Sequence, residues 1–353
     1  MTRLLLLIAG AALCFAQGLP SKVDELVGAY QKSNKFMGTV LVARDGKVLH
    51  AKGYGCANLE HDVPNKPETK FRLGSITKQF VALAILQLEE RGKLQVTDSI
   101  CLYIGNCPEA WKPVTIHHLL SHTSGIWNFT NDPAYRNQWM LESPPAKTME
   151  RFRGKPLEFA PGEKMSYSNS GYILLALILE KASGTGYEEF LQKNIFEPAG
   201  MKDSGHDSHS PILKHRATGY WNERGEVRNS AYHDMTIPIG GGDLYSTALD
   251  LLRWDQALYS DKLAKPETLE KMFTPVRNNY GYGWMINKQF GRKLIAHGGG
   301  INGFSTAISR FPDEKALIVV LGNYMNAPAG PVARDVAAIL FNEKYELPKS
   351  ATP

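Results

Sequence analysis

The 353-residue chain is poor in several things that would have decided its class. It has no apolar run of the ~20 residues needed to cross a bilayer, so no membrane span is expected. It has no arginine–lysine run, so nucleic acid is not an expected partner. No internal repeat and no low-complexity linker are present, which sets aside repeat arrays and multi-module chains. Metal-ligand clusters are lacking too. His206 and His209 have a compatible spacing, but no acidic or cysteine cluster joins them, so neither a metal nor another cofactor is expected. What is present, 43% hydrophobic and 21% charged residues, suits a compact chain with a large core rather than a disordered one.

Cysteine is scarce, with four residues, and its placement is informative. Cys14 falls in Met1–Ala16, which reads as a signal peptide: Arg3, the apolar run Leu4–Ala12, then Cys14-Phe15-Ala16 before Gln17. Leu13 occupies the position where a lipid-anchored chain usually has a small residue, so no lipid anchor is expected. The leader predicts a periplasmic or secreted protein. Export would allow Cys101 and Cys107, which flank the short loop Leu102–Asn106, to form a disulfide. Cys56 would then stay unpaired and packed. Loss of Arg3 with the leader takes the formal charge from +5 to 5 − 1 = +4, too mild to specify a partner.

The remainder, 17–353, reads as a single α+β domain: an antiparallel sheet flanked by helices, with an all-helical part. Gly38–Ala43 and Lys47–Lys52 form a hairpin about Asp45-Gly46. Later strands are expected at Tyr282–Asn287, Lys293–Ala296, Ser305–Arg310 and Ala316–Leu321. The sheet therefore draws on about 22–60 and 270–345, and the helices lie between. Helices are expected at Lys22–Lys35 with Ser21 as cap, from Ser75 to near Gly92, over Leu174–Lys181 ending at Gly184, and at Thr247–Tyr259 and Pro331–Asn342.

Ser75-Ile76-Thr77-Lys78 carries the clearest chemical signal. Gly74 supplies a turn, and Phe80–Leu86 is apolar almost all round, as in a buried helix. Residues three apart share a helix face, so the Ser75 hydroxyl and the Lys78 amine can meet. A serine needs a base, and a lysine serves when burial lowers its pKa. Gly-x-Ser-x-Gly is absent around Ser75, which argues against a nucleophile elbow. Tyr167-Ser168-Asn169 sits on a loop ahead of an apolar helix. His297 leads Gly298-Gly299-Gly300 out of a strand, where glycines expose backbone N–H groups to a ligand. Each has a plain rival reading: Tyr167 at a core edge, Asn169 as a cap, His297 closing a hairpin. Trp127, Phe129, Tyr282 and Trp284 can line a cleft or simply pack.

The order Ser-x-x-Lys, Tyr-x-Asn, His-x-Gly resembles the penicillin-recognising serine hydrolases. It is most similar to the class C β-lactamase branch with its D-Ala-D-Ala peptidase, D-amino-acid peptidase and esterase relatives. Leu119–Ile126 and Gly240–Thr247 resemble two further segments of that family, and the similarity runs from roughly residue 25 to 340. The resemblance implies an acyl-enzyme on Ser75, with Lys78 keeping a hydroxyl in a proton-accepting state. Tyr167, helped toward phenolate by Lys78 and His297, would protonate the leaving group and later activate water. Asn169, His297 and Gly299 would orient substrate, and the N–H groups of Ser75 and Gly300 would form the oxyanion hole. His122 is expected to be structural. His297 stands where most β-lactamases of this group have lysine, and a largely neutral histidine is a weaker partner for a carboxylate. The expected substrate is thus a small molecule or peptide, such as a peptidoglycan-like peptide, a D-amino-acid peptide or an ester. β-Lactam cleavage would be slow or absent. A true β-lactamase and a non-catalytic peptidoglycan-binding protein are the alternatives.

Overall fold

A computed structural model describes residues 18–223 and 226–348, so the expected leader lies outside the described residues. One sheet organises the chain. Its six antiparallel strands run, in spatial order, Met285–Gln289, Arg292–Ile301, Phe304–Phe311, Ala316–Gly322, Gly38–Arg44 and Lys47–Tyr54. The two ends of the sequence thus meet where Gly38 pairs with Gly322. Asp45-Gly46 is the hairpin turn, as expected.

Both faces of this sheet are covered, and the period of two along each strand divides the core. Leu41, Leu317, Val319 and Leu321 point into one cluster with the Thr77–Glu90 and Asn169–Ser183 helices. Val40, Val42, Ile318 and Val320 point into another, under the 18–32 helix and the terminal Ala329–Phe341 helix. The Ala316–Gly322 strand is buried along its whole length, which is why it reads as an unbroken apolar run rather than an alternation. Among the described residues no helix is long and apolar enough to cross a membrane.

Three expectations need correction. Ser21 lies inside the 18–32 helix and does not cap it; Leu19, ahead of it, is already packed in the second cluster. The helix ends before Lys35, with Asn34 in the left-handed region at φ 54. The strand through His297 does not stop at the glycines but continues to Ile301, because Gly298, Gly299 and Gly300 pair with Ala307, Thr306 and Ser305. The Cys101–Cys107 disulfide is formed, with Cα atoms 5.3 Å apart, and Cys56 is free and packed against the second cluster.

Candidate active site

Ser75 occupies a single 3-10 turn, Gly74–Ile76, that feeds straight into the Thr77–Glu90 helix. The turn lies against the Arg292–Ile301 strand because two glycines allow it. Gly74 has φ 56, and a Cβ there would meet the Gly300 backbone nitrogen at 2.7 Å. A Cβ on Gly299 would overlap the Leu73 carbonyl oxygen, which instead accepts a hydrogen bond from Thr306 Oγ1 at 2.7 Å.

Lys78, one turn on, is fully buried. Its Nζ donates to Asn169 Oδ1 at 2.9 Å and to the Gly241 carbonyl at 2.7 Å, and lies 3.2 Å from Ser75 Oγ. The ring centroids of Tyr167 and Tyr172 lie 4.9 and 5.3 Å from the same nitrogen. Burial lowers its pKa to about 7, against the opposing pull of the Asp243 carboxylate. Near neutral pH the amine is therefore often uncharged. Its two N–H bonds are then accounted for by Asn169 and Gly241, leaving the lone pair for the Ser75 hydroxyl. Asn169, the first residue of its helix, is aimed by neighbours: its N–H donates to Asn128 Oδ1 at 3.0 Å and its Nδ2 to Thr130 Oγ1 at 3.2 Å.

Tyr167 differs from expectation in its protonation state. Its hydroxyl is buried without a hydrogen-bond partner, and burial pushes its pKa up, with only the Ser75 side chain working the other way. The phenol is neutral, a donor rather than a base. His297 also departs from expectation. Nδ1 donates to the Gly298 carbonyl at 2.6 Å and Nε2 accepts from the Tyr280 hydroxyl at 3.1 Å. Burial, reinforced by Lys78, lowers its pKa to about 4. It is a neutral residue behind Tyr280 and does not reach the cavity in front of Ser75. Gly299 faces the Leu73 carbonyl rather than that cavity, so it positions the serine turn instead of touching a ligand.

His122, read as structural, is at the centre of the buried cluster. It is held at φ 58, and Nδ1 accepts the Ser168 N–H at 3.2 Å, so the ring hydrogen sits on Nε2. The ring lies 4.2 Å from that of Tyr167 and fixes the Tyr167–Asn169 segment from behind. Burial, with Lys78 and His297, keeps it uncharged.

A cavity of about 240 Å³ opens in front of Ser75. Ser75, Asn169, Gly241 and Gly300 form its floor, and Phe129, Tyr135, Trp139, Ile173, Pro238 and Met325 much of its wall. The Gly300 Cα faces open space, so the two expected oxyanion donors border the same hollow. Among the described residues, no lysine, arginine, aspartate or glutamate lines it. His233 does, stacked on Trp139 at 5.9 Å and 3.3 Å from the Tyr135 hydroxyl, but burial lowers its pKa to about 4. The adjoining cavity, which shares His233 and Asn302, contains Arg72 and Arg216. Both are committed to the buried Asp207, at 2.5 and 2.6 Å. Of the aromatics singled out in the sequence, only Phe129 lines the cleft. Trp284 is fully buried beside Arg310, Tyr282 bonds His117, and Trp127 packs near Lys155. Tyr135, Trp139 and His233 were missed, because they lie in turns where no periodicity shows which way a side chain points. His206 and His209 serve separate partners, Asp243 and the His233 carbonyl.

Comparison with known proteins matches this arrangement. A family model described as Beta-lactamase covers residues 23–342. Penicillin-binding protein 4* of Bacillus subtilis is 34% identical over 90% of this chain and 75% of its own length. A D-aminopeptidase of Gluconobacter oxydans is 28% identical over 86% of this chain and 58% of its own. Among solved structures, an octameric penicillin-binding protein homologue from Pyrococcus abyssi superposes with a TM-score of 0.82 at 31% identity, over 92% of this chain and 77% of that one. D-amino acid amidase from Ochrobactrum anthropi, at 20% identity, covers 93% of this chain and 99% of its own with a TM-score of 0.79 and shares the fold.

Proposed function

Because the chain belongs to the beta-lactamase family, we propose that it is a serine hydrolase that forms an acyl-enzyme on Ser75 and hydrolyses esters or amides of uncharged, largely apolar acyl groups. The observation that carries this reading is the buried Lys78 amine, 3.2 Å from Ser75 Oγ and with a pKa of about 7. Neutral Lys78 accepts the Ser75 proton as Oγ attacks the carbonyl carbon. The oxyanion that forms lies between the Ser75 and Gly300 backbone N–H groups, at the start of a helix whose dipole favours negative charge. The proton then passes to the departing alcohol or amine, with the Tyr167 hydroxyl available as donor beside it. Water, deprotonated by Lys78 in turn, releases the acid from Ser75.

The cavity wall supports the substrate class. An aromatic or branched group is buried against Phe129, Tyr135 and Trp139, and among the described residues no cation lines the hollow to hold a carboxylate. That disfavours efficient β-lactam cleavage and any substrate whose recognition depends on a carboxylate next to the scissile bond. p-Nitrophenyl esters, D-amino-acid amides, D-alanyl-D-alanine peptides and nitrocefin, assayed side by side, test it. Turnover of aromatic or apolar esters and amides is expected, with nitrocefin far slower. A fluorophosphonate should add covalently to the wild type and not to Ser75→Ala. Stable labelling of Ser75 with no turnover of any ester or amide would leave a binding protein instead.

We also propose export to an oxidising compartment. Met1–Ala16 has the three parts of a leader, and the Cys101–Cys107 disulfide belongs to such a compartment. Intact mass of the protein recovered from its producing cell should fit a chain starting at Gln17. A chain retaining residues 1–16 would contradict it.

A further inference from the structure

A second cavity of about 240 Å³, lined by His206, Glu188, Glu189 and Leu244 among others, lies outside the substrate hollow. Between them stands the turn around Gly240–Gly242, and the hydrogen bonds across it are continuous. His206 Nδ1 lies 2.8 Å from Asp243 Oδ2. Asp243 Oδ1 accepts the Gly240 N–H at 2.8 Å and the Tyr187 hydroxyl at 3.1 Å. The N–H groups of Gly241 and Gly242 both donate to the Pro238 carbonyl at 2.8 Å, which closes the turn. The Gly241 carbonyl then accepts from Lys78 Nζ at 2.7 Å. Directly beyond Asp243, Leu244 is tied to the nucleophile segment on both sides: its N–H donates to Thr77 Oγ1 at 3.2 Å and its carbonyl accepts the Leu73 N–H at 2.8 Å.

We propose that His206 and Asp243 are a positioning pair for Lys78, acting from the second cavity through the Gly240–Gly242 turn. Neither touches the substrate hollow. The inference rests on Lys78 being the base that activates Ser75. Asp243 is buried, and among the described residues it is the charged group whose pull on Lys78 opposes burial. The other titratable groups around the amine are uncharged near neutrality: burial lowers His122 and His297 and raises Tyr167 and Tyr172. Around His206 stand Asp243, Glu188 at 3.5 Å from Nε2, Asp207 and, in the cavity wall, Glu189. Burial works against the imidazolium, but the Asp243 bond and the charges of Asp243, Glu188 and Asp207 outweigh it and hold His206 above its ordinary value. Asp207 is itself occupied by Arg72 and Arg216.

One carboxylate therefore stands between two groups that can each carry a proton, the His206 imidazole and the Lys78 amine. A charged His206 offsets Asp243 and leaves less of its field for Lys78, so the amine sheds its proton more readily. Taking away the imidazolium strengthens the hold of Asp243 on the ammonium. Taking away the carboxylate weakens it.

The test is the pH dependence of acylation, read from the burst phase with a p-nitrophenyl ester on the full chain. In His206→Asn the amide can take the Nδ1 position and keep the bond to Asp243 while losing the charge. Its acid limb should move up by about half a pH unit or more, which reads as roughly three-fold slower acylation at pH 6, with a smaller loss at alkaline pH. Asp243→Asn should move the limb the other way. Glu188→Gln, at a position 63% exposed where folding is not at stake, should move it up by less than His206→Asn. Opposite shifts for the two partners are something a merely structural pair would not produce, since lost stability lowers the amplitude and leaves the midpoint in place. Midpoints unmoved in His206→Asn and Glu188→Gln, in enzyme that acylates through Lys78, would overturn the inference alone. Acylation that persists in Lys78→Met would overturn the reading beneath it instead.

Discussion

Lys78→Met is expected to slow acylation of Ser75 by roughly 10³-fold, within the range that a positioned base supplies, while the protein stays folded or becomes more stable. The two halves have one cause. Burial moves the amine from its ordinary 10.5 to about 7, so the native state binds that proton less readily than the unfolded chain. The sign follows from linkage. As pH falls from about 10.5 toward 7, the unfolded chain takes up the proton and the native state does not, so native stability drops. Below pH 7 both are protonated and the deficit, of the order of several kcal/mol, is constant. Methionine fills nearly the same volume without the charge, and the carbonyls of Asn169 and Gly241 that lose a donor offset part of the gain. Thermal melts at pH 6 should show Lys78→Met at least as stable as the wild type. In the wild type, acylation should fall about ten-fold per pH unit below about pH 7, as the ammonium replaces the amine. An acylation rate that is flat from pH 5 to 8 would remove Lys78 as the base.

Gly299→Ala carries the second large effect, with no chemistry at the altered residue. The new methyl would overlap the Leu73 carbonyl oxygen and crowd Thr306 Oγ1. Both are needed where they are: Thr306 bonds that carbonyl, and Leu73 precedes the Gly74–Ile76 turn that presents Ser75. At Gly299 the strand is held by its pairing with Thr306 of the neighbouring Phe304–Phe311 strand, so the serine turn is the part that yields. A displacement of about 1 Å can cost on the order of 10²-fold in rate, and acylation by Gly299→Ala should fall by at least that much. Gly300→Ala is the comparison, because its methyl enters open space and leaves the serine turn in place. Denaturation midpoints should separate the pair: Gly299→Ala is destabilised, Gly300→Ala little. An active Gly299→Ala would mean that the Leu73–Gly299 approach does not govern the geometry of Ser75.

Much of the architecture was legible where the pattern of residues is itself the physical cause. The turn at Asp45-Gly46, the apolar run from Ala316, and the helix stopped at Gly184 all appear as read. Boundaries were less so. The run through His297 reads as ending at three glycines because glycine weakens a strand. Here the Phe304–Phe311 strand supplies the pairing on one side, and the absence of side chains is what lets the serine turn come close on Gly299.

The linear chain alone determined the chemistry on offer: a hydroxyl and an amine one helical turn apart, a Tyr-x-Asn segment at a helix start, and a paired-cysteine loop. Folding decided what each group does. Enclosure in a dry interior lowers the Lys78 pKa to about 7, keeps Tyr167 protonated, and turns His297 away behind Tyr280. It brings His122 against Tyr167 and leaves the hollow before Ser75 without a charged side chain among the described residues of its wall. Desolvation and distance are properties of the assembled packing, and neither is written in the spacing of residues along a chain.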